Sequence, residues 1–305
     1  MRIGTARLPY YSAGLVLAVV AAVAGCSGSG SSAAGSGSAG SSAAASSPLA
    51  AVKLAAKTAT GANSFTGTMS LKMTAKPGSS ASSAGSLALG DVSMSATFAE
   101  QLHPSVLASV DIGTLSAAGQ SLPGGLSEIV TPSTLYLKWS FLTSTMHLGK
   151  PWLAIPVSSL GKNSGVNLTQ IFSQLQGSGP LTESQLLAGA TSVRQVGTGT
   201  VDGVAVTEYT GTLPLDKGMS FLSGTVKAQV QQAIAAAGLR TATFTVWIDG
   251  QHLVRKSVVT ESGKSLTEVI TTTITSINQP VNIAVPPASQ TSPMPSSALS
   301  SGSGI

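Results

Sequence analysis

The stretch from Thr241 to Thr260, TATFTVWIDGQHLVRKSVVT, constrains this chain more than any other. Phe244, Val246 and Ile248 alternate with Thr243, Thr245 and Trp247, and a second β-rich run, Leu253 to Val259, follows at once. Period-two alternation on both sides of an Asp-Gly pair is a strong hairpin signal. Asp249-Gly250 is expected to supply the positive φ angles of a tight turn. The register stays open. A two-residue loop sets the Val246 face against Leu253 and Arg255; a three-residue loop sets it against Val254 and Val258. Similar alternating runs recur on either side, so the hairpin reads as the centre of one large antiparallel sheet.

Upstream, Phe65, Gly67, Met69, Leu71, Met73 and Ala75 alternate with Thr66, Thr68, Ser70, Lys72, Thr74 and Lys76. After a Ser/Gly loop, Ala88, Gly90, Val92, Met94, Ala96 and Phe98 oppose Asp91, Ser93, Ser95 and Thr97. Each run predicts a strand with one apolar and one polar face. Val106 to Ile112 and Leu135 to Trp139 continue the pattern, and LGKPWLAIP, from Leu148, reads as a loop entering a short strand. Val193 to Thr212 predicts a second hairpin turning at Asp202-Gly203, and Leu266, Ile270 and Ile274 mark a final Thr-rich strand. Helices are fewer. Ser47 and Pro48 suit the cap and first position of one carrying Leu49, Val52, Ala56 and Ala59 on a face. Leu168, Ile171, Phe172 and Leu175 fit a second helix face. Thr182 and Gln185 form a capping-box pattern. Leu222, Val226, Val230 and Ile234 fall on one stripe of an Ala-rich helix that Gly238 would end. The count is nine to eleven strands in a sheet-dominated α+β domain.

The two ends read differently. Arg2 and Arg7 precede a short apolar run, Ala13 to Ala24, and small residues lead into Cys26. This is the pattern of a secretion signal, too short to span a bilayer as a helix of about 20 residues. Val23-Ala24-Gly25-Cys26 matches the bacterial lipobox, in which the Cys receives a diacylglycerol and becomes the new N-terminus. Cys26 is the only cysteine, so no internal disulfide can form, and acylation would cap an otherwise reactive exported thiol. Several acyl chains anchor stably at about 0.8 kcal/mol per buried CH₂. Ser27 to Ser47, almost only Ser, Gly and Ala, reads as a flexible tether. The organisation expected is therefore a signal peptide over 1–25, an acylated Cys26 and tether over 26–47, a β-rich domain over 48–285, and a disordered Pro/Ser/Gly-rich tail over 286–305. Two of the +5 formal charges belong to the leader, and the rest are too few and scattered to point to nucleic acid.

No catalytic constellation emerges. His103, His147 and His252 lie far apart, without metal-ligand spacing to one another or to a carboxylate. Asp202 and Asp249 are explained as turn residues. Ser159-Leu160-Gly161-Lys162 matches S-x-x-K but lacks the accompanying K-T-G. Gly197-Thr198-Gly199 lies inside a hairpin and lacks the third glycine of a dinucleotide loop. Asn167-Leu168-Thr169 is a formal sequon with no evident use in a bacterial lipoprotein. No enzyme, cofactor or metal is expected. What remains is an apolar sheet face rich in Met69, Met73, Met94, Gly67 and Gly90. Small residues leave room and methionine adapts to irregular contents, which suits a cavity for acyl chains; the same residues could instead pack a solid core.

The lipobox, the tether, the N-terminal helix leading into SFTGTMSLKM, and the later runs STLYLKW, KPWLAIP, QLLAGATSVRQVGTGTVDGVAVTEYTGTL and ATFTVWIDGQHLVRKSVV resemble actinobacterial LppX/LprG-type lipoproteins, relatives of LolA-like carriers. The resemblance spans most of Leu49 to Val285 and rests on order and pattern; the loop Lys76 to Ser86 and the long tether do not map onto it. It implies a curved antiparallel half-barrel closed by helices around an apolar cavity. It implies a lipoprotein on the outer face of the cytoplasmic membrane that binds or transfers acylated lipids or glycolipids. Partners would be such a lipid, the membrane itself and an envelope transporter. The candidate cavity residues are Met69, Leu71, Met73, Val92, Met94, Phe98, Leu222 and Val226, with Cys26 as the lipidation site. The alternative is a non-catalytic interaction or sensor module of the same fold with a filled core.

Overall fold

Alternation over Ser64–Ala75 produces strand β1, and alternation over Val92–Gln101 produces β2. The computed structural model describes residues 47–76, 91–117, 119–121, 125–145, 147–156, 180–222, 227, 231, 234–235, 238–263 and 266–294. β1 and β2 pair antiparallel, with Gly67 opposite Phe98, Met69 opposite Ala96, Leu71 opposite Met94 and Met73 opposite Val92. All of these therefore lie on one face, as period-two geometry requires.

The remaining strands are β3 (Leu107–Ala117), β4 (Gln120–Ser121), β5 (Leu126–Val130), β6 (Thr134–Lys138), β7 (Trp152–Pro156), β8 (Thr191–Val201), β9 (Val204–Pro214), β10 (Thr241–Asp249), β11 (Val254–Ser262), β12 (Leu266–Ile277) and β13 (Thr291–Pro293). They form a single sheet in the order β13-β7-β6-β5-β3-β2-β1-β12-β11-β10-β9-β8, with β4 beside β3. The order has two ends, so the sheet is open. The central hairpin sits off-centre within it, and β2 and β1 occupy the middle. Three of the 13 strands escape the sequence reading. β4 and β13 are only two and three residues long. β5, LSEIV, carries Glu128 at the middle of its apolar parity.

The two hairpins turn by different means. Asp202 and Gly203 both take positive φ, 48° and 79°, as a primed two-residue turn demands. At Asp249-Gly250 that expectation fails: the left-handed residue is His252, with φ 60°. Asp249 instead closes the turn with its side chain, Oδ1 accepting from the N–H groups of Gln251 at 2.8 Å and Leu253 at 2.9 Å. Its Oδ2 accepts from Arg255 Nε at 2.6 Å. A bulge then sets Val246 opposite Ser257 and Ile248 opposite Val254, so neither simple register applies.

Helix α1 (Pro48–Ala59) starts as read, with Ser47 Oγ accepting from Ala50 N–H at 3.2 Å. Its Val52, Ala55 and Ala56 pack with Leu187, Ala190, Leu213, Leu215, Phe244 and Val246 under the β9–β11 half of the sheet. The other half has its own packed layer, built on Phe65, Met69, Leu71, Met94, Phe98, Val110, Val130, Leu135 and Ile155. Short helices α2 (Ser140–Thr145), α3 (Pro180–Leu186) and α4 (Leu215–Met219) complete the described set. α3 begins at Pro180, so Thr182 lies inside its first turn and is not the cap the sequence pattern implies. Among the described residues no helix is long and apolar enough to cross a membrane.

The boundary at Val285 needs correction. Beyond Asn278, whose N–H donates to the Ser64 carbonyl at 3.0 Å, the chain runs back across the sheet. It ends in β13, which pairs parallel to β7. Residues 286–294 are thus part of the folded unit and not of a disordered tail. The edge of β7 offers unpaired backbone groups, and pairing to them needs no apolar period in the incoming segment. Residues 295–305 lie outside the described residues, as do the signal peptide, Cys26, the tether, the 159–162 and 167–169 motifs and Val226.

Candidate functional site

The apolar face is graded. Met69, Leu71, Met94 and Phe98 are buried, while Met73, Val92, Leu115 and Ile270 at one end of the same face are half-buried. Cross-strand pairing makes these four contiguous: Met73 faces Val92, Leu71 faces both Met94 and Ile270, and Met94 faces Leu115. Leu222 is buried immediately after α4, in irregular chain and not on a helix stripe.

The room that small residues leave at Gly67 is occupied. A Cβ added there would lie 2.6 Å from Cζ of Phe98 and would collide with the Thr273 carbonyl oxygen. Gly211 repeats the arrangement in the other half, with Phe244 Cζ at 2.6 Å from the same notional atom.

Five glutamates on or against this face are absent from the sequence reading. Glu100 and Glu128 occupy the apolar parity of β2 and β5 and are 1% and 2% exposed. Glu128 Oε1 has no hydrogen-bond partner, and burial pushes its carboxyl up to about 8. Glu261 stands directly opposite Glu268 across β11 and β12. Burial, then the charges of Glu268 and Glu183, raise Glu261 to about 7. Burial alone raises Glu268. Glu183 reaches in from α3: its Oε2 accepts from Thr272 Oγ1 at 3.2 Å. Burial raises it against the opposing effect of hydrogen bonds from Ser257 and Thr272. A void of about 10 Å³, lined by Glu183, Ser184, Leu187, Val254, Ser257, Thr272 and Ile274, adjoins it. The signal was present in sequence, because Glu100, Glu128 and Glu268 each continue the parity of flanking apolar residues.

The opposite face carries a larger hollow of about 320 Å³ between β3, β5, β6 and β7 and the returning segment at Asn282–Ala284. Among the described residues no three or more His, Asp or Glu side chains gather so as to hold a metal ion.

No family model matches the chain. An uncharacterized 31.2 kDa protein of Streptomyces griseus, from the rplA-rplJ intergenic region, is 30% identical over 129 residues, 41% of this chain. The match takes in 42% of that relative's length, so the chain spans about two fifths of it. Among solved structures, the lipoprotein LppX of Mycobacterium tuberculosis is 19% identical with a TM-score of 0.42, covering 78% of this chain and 98% of that one. LprF of Mycobacterium bovis is 13% identical with a TM-score of 0.44, covering 78% and 96%.

Proposed function

We propose that this chain is a non-enzymatic, membrane-anchored envelope lipoprotein that binds or transfers acylated lipids or glycolipids. The observation that supports it is the graded apolar face. Buried Met69, Leu71, Met94 and Phe98 pass into half-buried Met73, Val92, Leu115 and Ile270 without a polar break along β1 and β2. A flexible, methionine-rich surface that emerges at one end suits an acyl chain entering lengthwise. The lipobox at Cys26 supports placement on the outer side of the cytoplasmic membrane, with the tether carrying the domain clear of the bilayer. An envelope transporter would be the partner that loads or unloads it.

A second reading is favoured by the filled glycine sites. Phe98 over Gly67 is solid packing, and it suits an interaction or sensor module of the same fold. Large side chains at the half-buried end separate the two. Met73→Trp and Val92→Trp are expected to fold near normally and to co-purify with less acyl lipid, read by a thermal melt paired with mass spectrometry of organic extracts. Destabilisation of about 1–3 kcal/mol per variant, with no lipid in the wild type, would establish the filled module instead.

A further inference from the structure

The face of the sheet turned away from the apolar layer carries a second, polar site. Asp111 on β3 pairs with Ser127 on β5, and Ser127 pairs with Lys138 on β6. Leu137 pairs with Leu153, which sets Lys138 beside Trp152 on β7. Four adjacent strands thus present Asp, Ser, Lys and Trp in one row. The Lys138 ammonium lies 5.9 Å from the centroid of the Trp152 ring. Among the described residues no ion pair or side-chain hydrogen bond engages Asp111 or Lys138.

A wall stands over this row. The segment Asn282–Ala284 crosses it and encloses a half-open hollow of about 320 Å³. The segment is held at both ends. At one, the Asn63 N–H donates to Asn278 Oδ1 at 2.7 Å and Ser64 Oγ donates to the Gln279 carbonyl at 2.6 Å. At the other, Lys150 Nζ donates to the Ala288 carbonyl at 2.8 Å and β13 joins β7. Both walls are therefore formed before any ligand arrives. Ile129 on the floor is only 8% exposed although it points to the outer face, so the wall excludes water there.

We propose that this hollow binds a saccharide. Its volume lies at the lower end of the roughly 300–1,000 Å³ of small-molecule sites, enough for one sugar ring. The indole offers a flat apolar surface to the C–H face of a pyranose. The Asp111 carboxylate accepts from hydroxyls, the Lys138 ammonium donates to them, and Ser127 and the Asn282 amide do both. The row carries one carboxylate and one ammonium, and Glu128, which also lines the hollow, is raised to about 8 by burial and so is largely uncharged at neutral pH; this balance favours a neutral polyol over an anion or a cation. The polar floor disfavours an acyl chain, so the site is independent of the apolar face on the other side. The sugar could be free or the headgroup of a lipid.

The test titrates the full-length, detergent-purified protein with methyl glucoside, galactoside, mannoside and arabinoside by saturation-transfer NMR. A parallel arm uses phosphatidylcholine vesicles carrying galactosyl diacylglycerol. Saturable binding is expected in at least one arm. It should weaken tenfold or more in Trp152→Ala and severalfold in Asp111→Ala, whose exposed side chain can be removed without unfolding. Saturation by a free glycoside assigns a free saccharide; saturation by the vesicles alone assigns a headgroup. No saturation in either arm, or equal binding by wild type and Asp111→Ala, overturns the proposal, whereas the lipid-binding reading is decided separately by whether acyl lipid co-purifies with the wild type.

Discussion

Phe98 lies with its ring over Gly67, its partner on the neighbouring strand, close enough that no side chain fits between them. Gly67→Ala should therefore overpack the layer and cost about 1–3 kcal/mol. Removing the ring as well should recover only part of this, because the added methyl still meets the Thr273 carbonyl. A double-mutant cycle of Gly67→Ala and Phe98→Ala by chemical denaturation measures the coupling. Equal costs of Gly67→Ala with and without Phe98 would refute the contact.

The central turn inverts the expectation from its Asp-Gly pair. Gly250 is exposed, lacks a positive φ and has nothing within 4 Å of a notional Cβ. Gly250→Ala should stay within about 0.5 kcal/mol of wild type. Asp249, 6% exposed, holds two backbone N–H groups and Arg255. Asp249→Ala should cost roughly 2–4 kcal/mol by leaving those donors unmet. The comparison is a pair of thermal melts, and the reverse ranking would show that the side chain does not hold the turn.

Period-two alternation was enough to place β1, β2, β3 and β6–β12, because a half-buried strand must alternate. Turn chemistry was less transferable: Asp202-Gly203 bends through its backbone and Asp249-Gly250 through a carboxylate, and the dipeptide is the same. Gly67 reads in sequence as spare room, since only three-dimensional packing brings Phe98 over it. The inward glutamates were legible as parity breaks but look like strand defects one at a time. Glu261 and Glu268 become a pair only when β11 and β12 are in register. The returning segment has no periodicity of its own, so composition alone labels its part from 286 onward a tail.

The proposed lipid anchor is Cys26, with the lipobox before it. Cys26→Ser should abolish partitioning into the detergent phase and release the protein from membranes, while the melting temperature of the domain stays the same. Membrane retention equal to wild type in that variant would remove the lipid anchor from the account.

The buried carboxyls give stability a pH dependence of definite sign. Glu261 is raised to about 7 and Glu128 to about 8, with Glu183 and Glu268 raised as well. An unfolded glutamate titrates near about 4.3, so the folded chain holds protons that the unfolded chain has lost. Their contribution is complete below that value and is lost as pH rises through the folded ones. Each group can impose a slope of up to about 1.4 kcal/mol per pH unit within its own window. Unfolding free energy should therefore fall between roughly pH 5 and pH 8, the window set by the raised carboxyls. Glu128→Gln, which cannot ionise, should flatten that fall and gain on wild type toward pH 8. Glu268→Gln should do so more mildly by relieving Glu261 of a like charge directly opposite. Denaturant titrations at pH 5, 6, 7 and 8 decide it: a wild-type stability that rises across this range, or a slope in Glu128→Gln equal to wild type, would mean that Glu128 keeps an ordinary carboxylate in the folded chain.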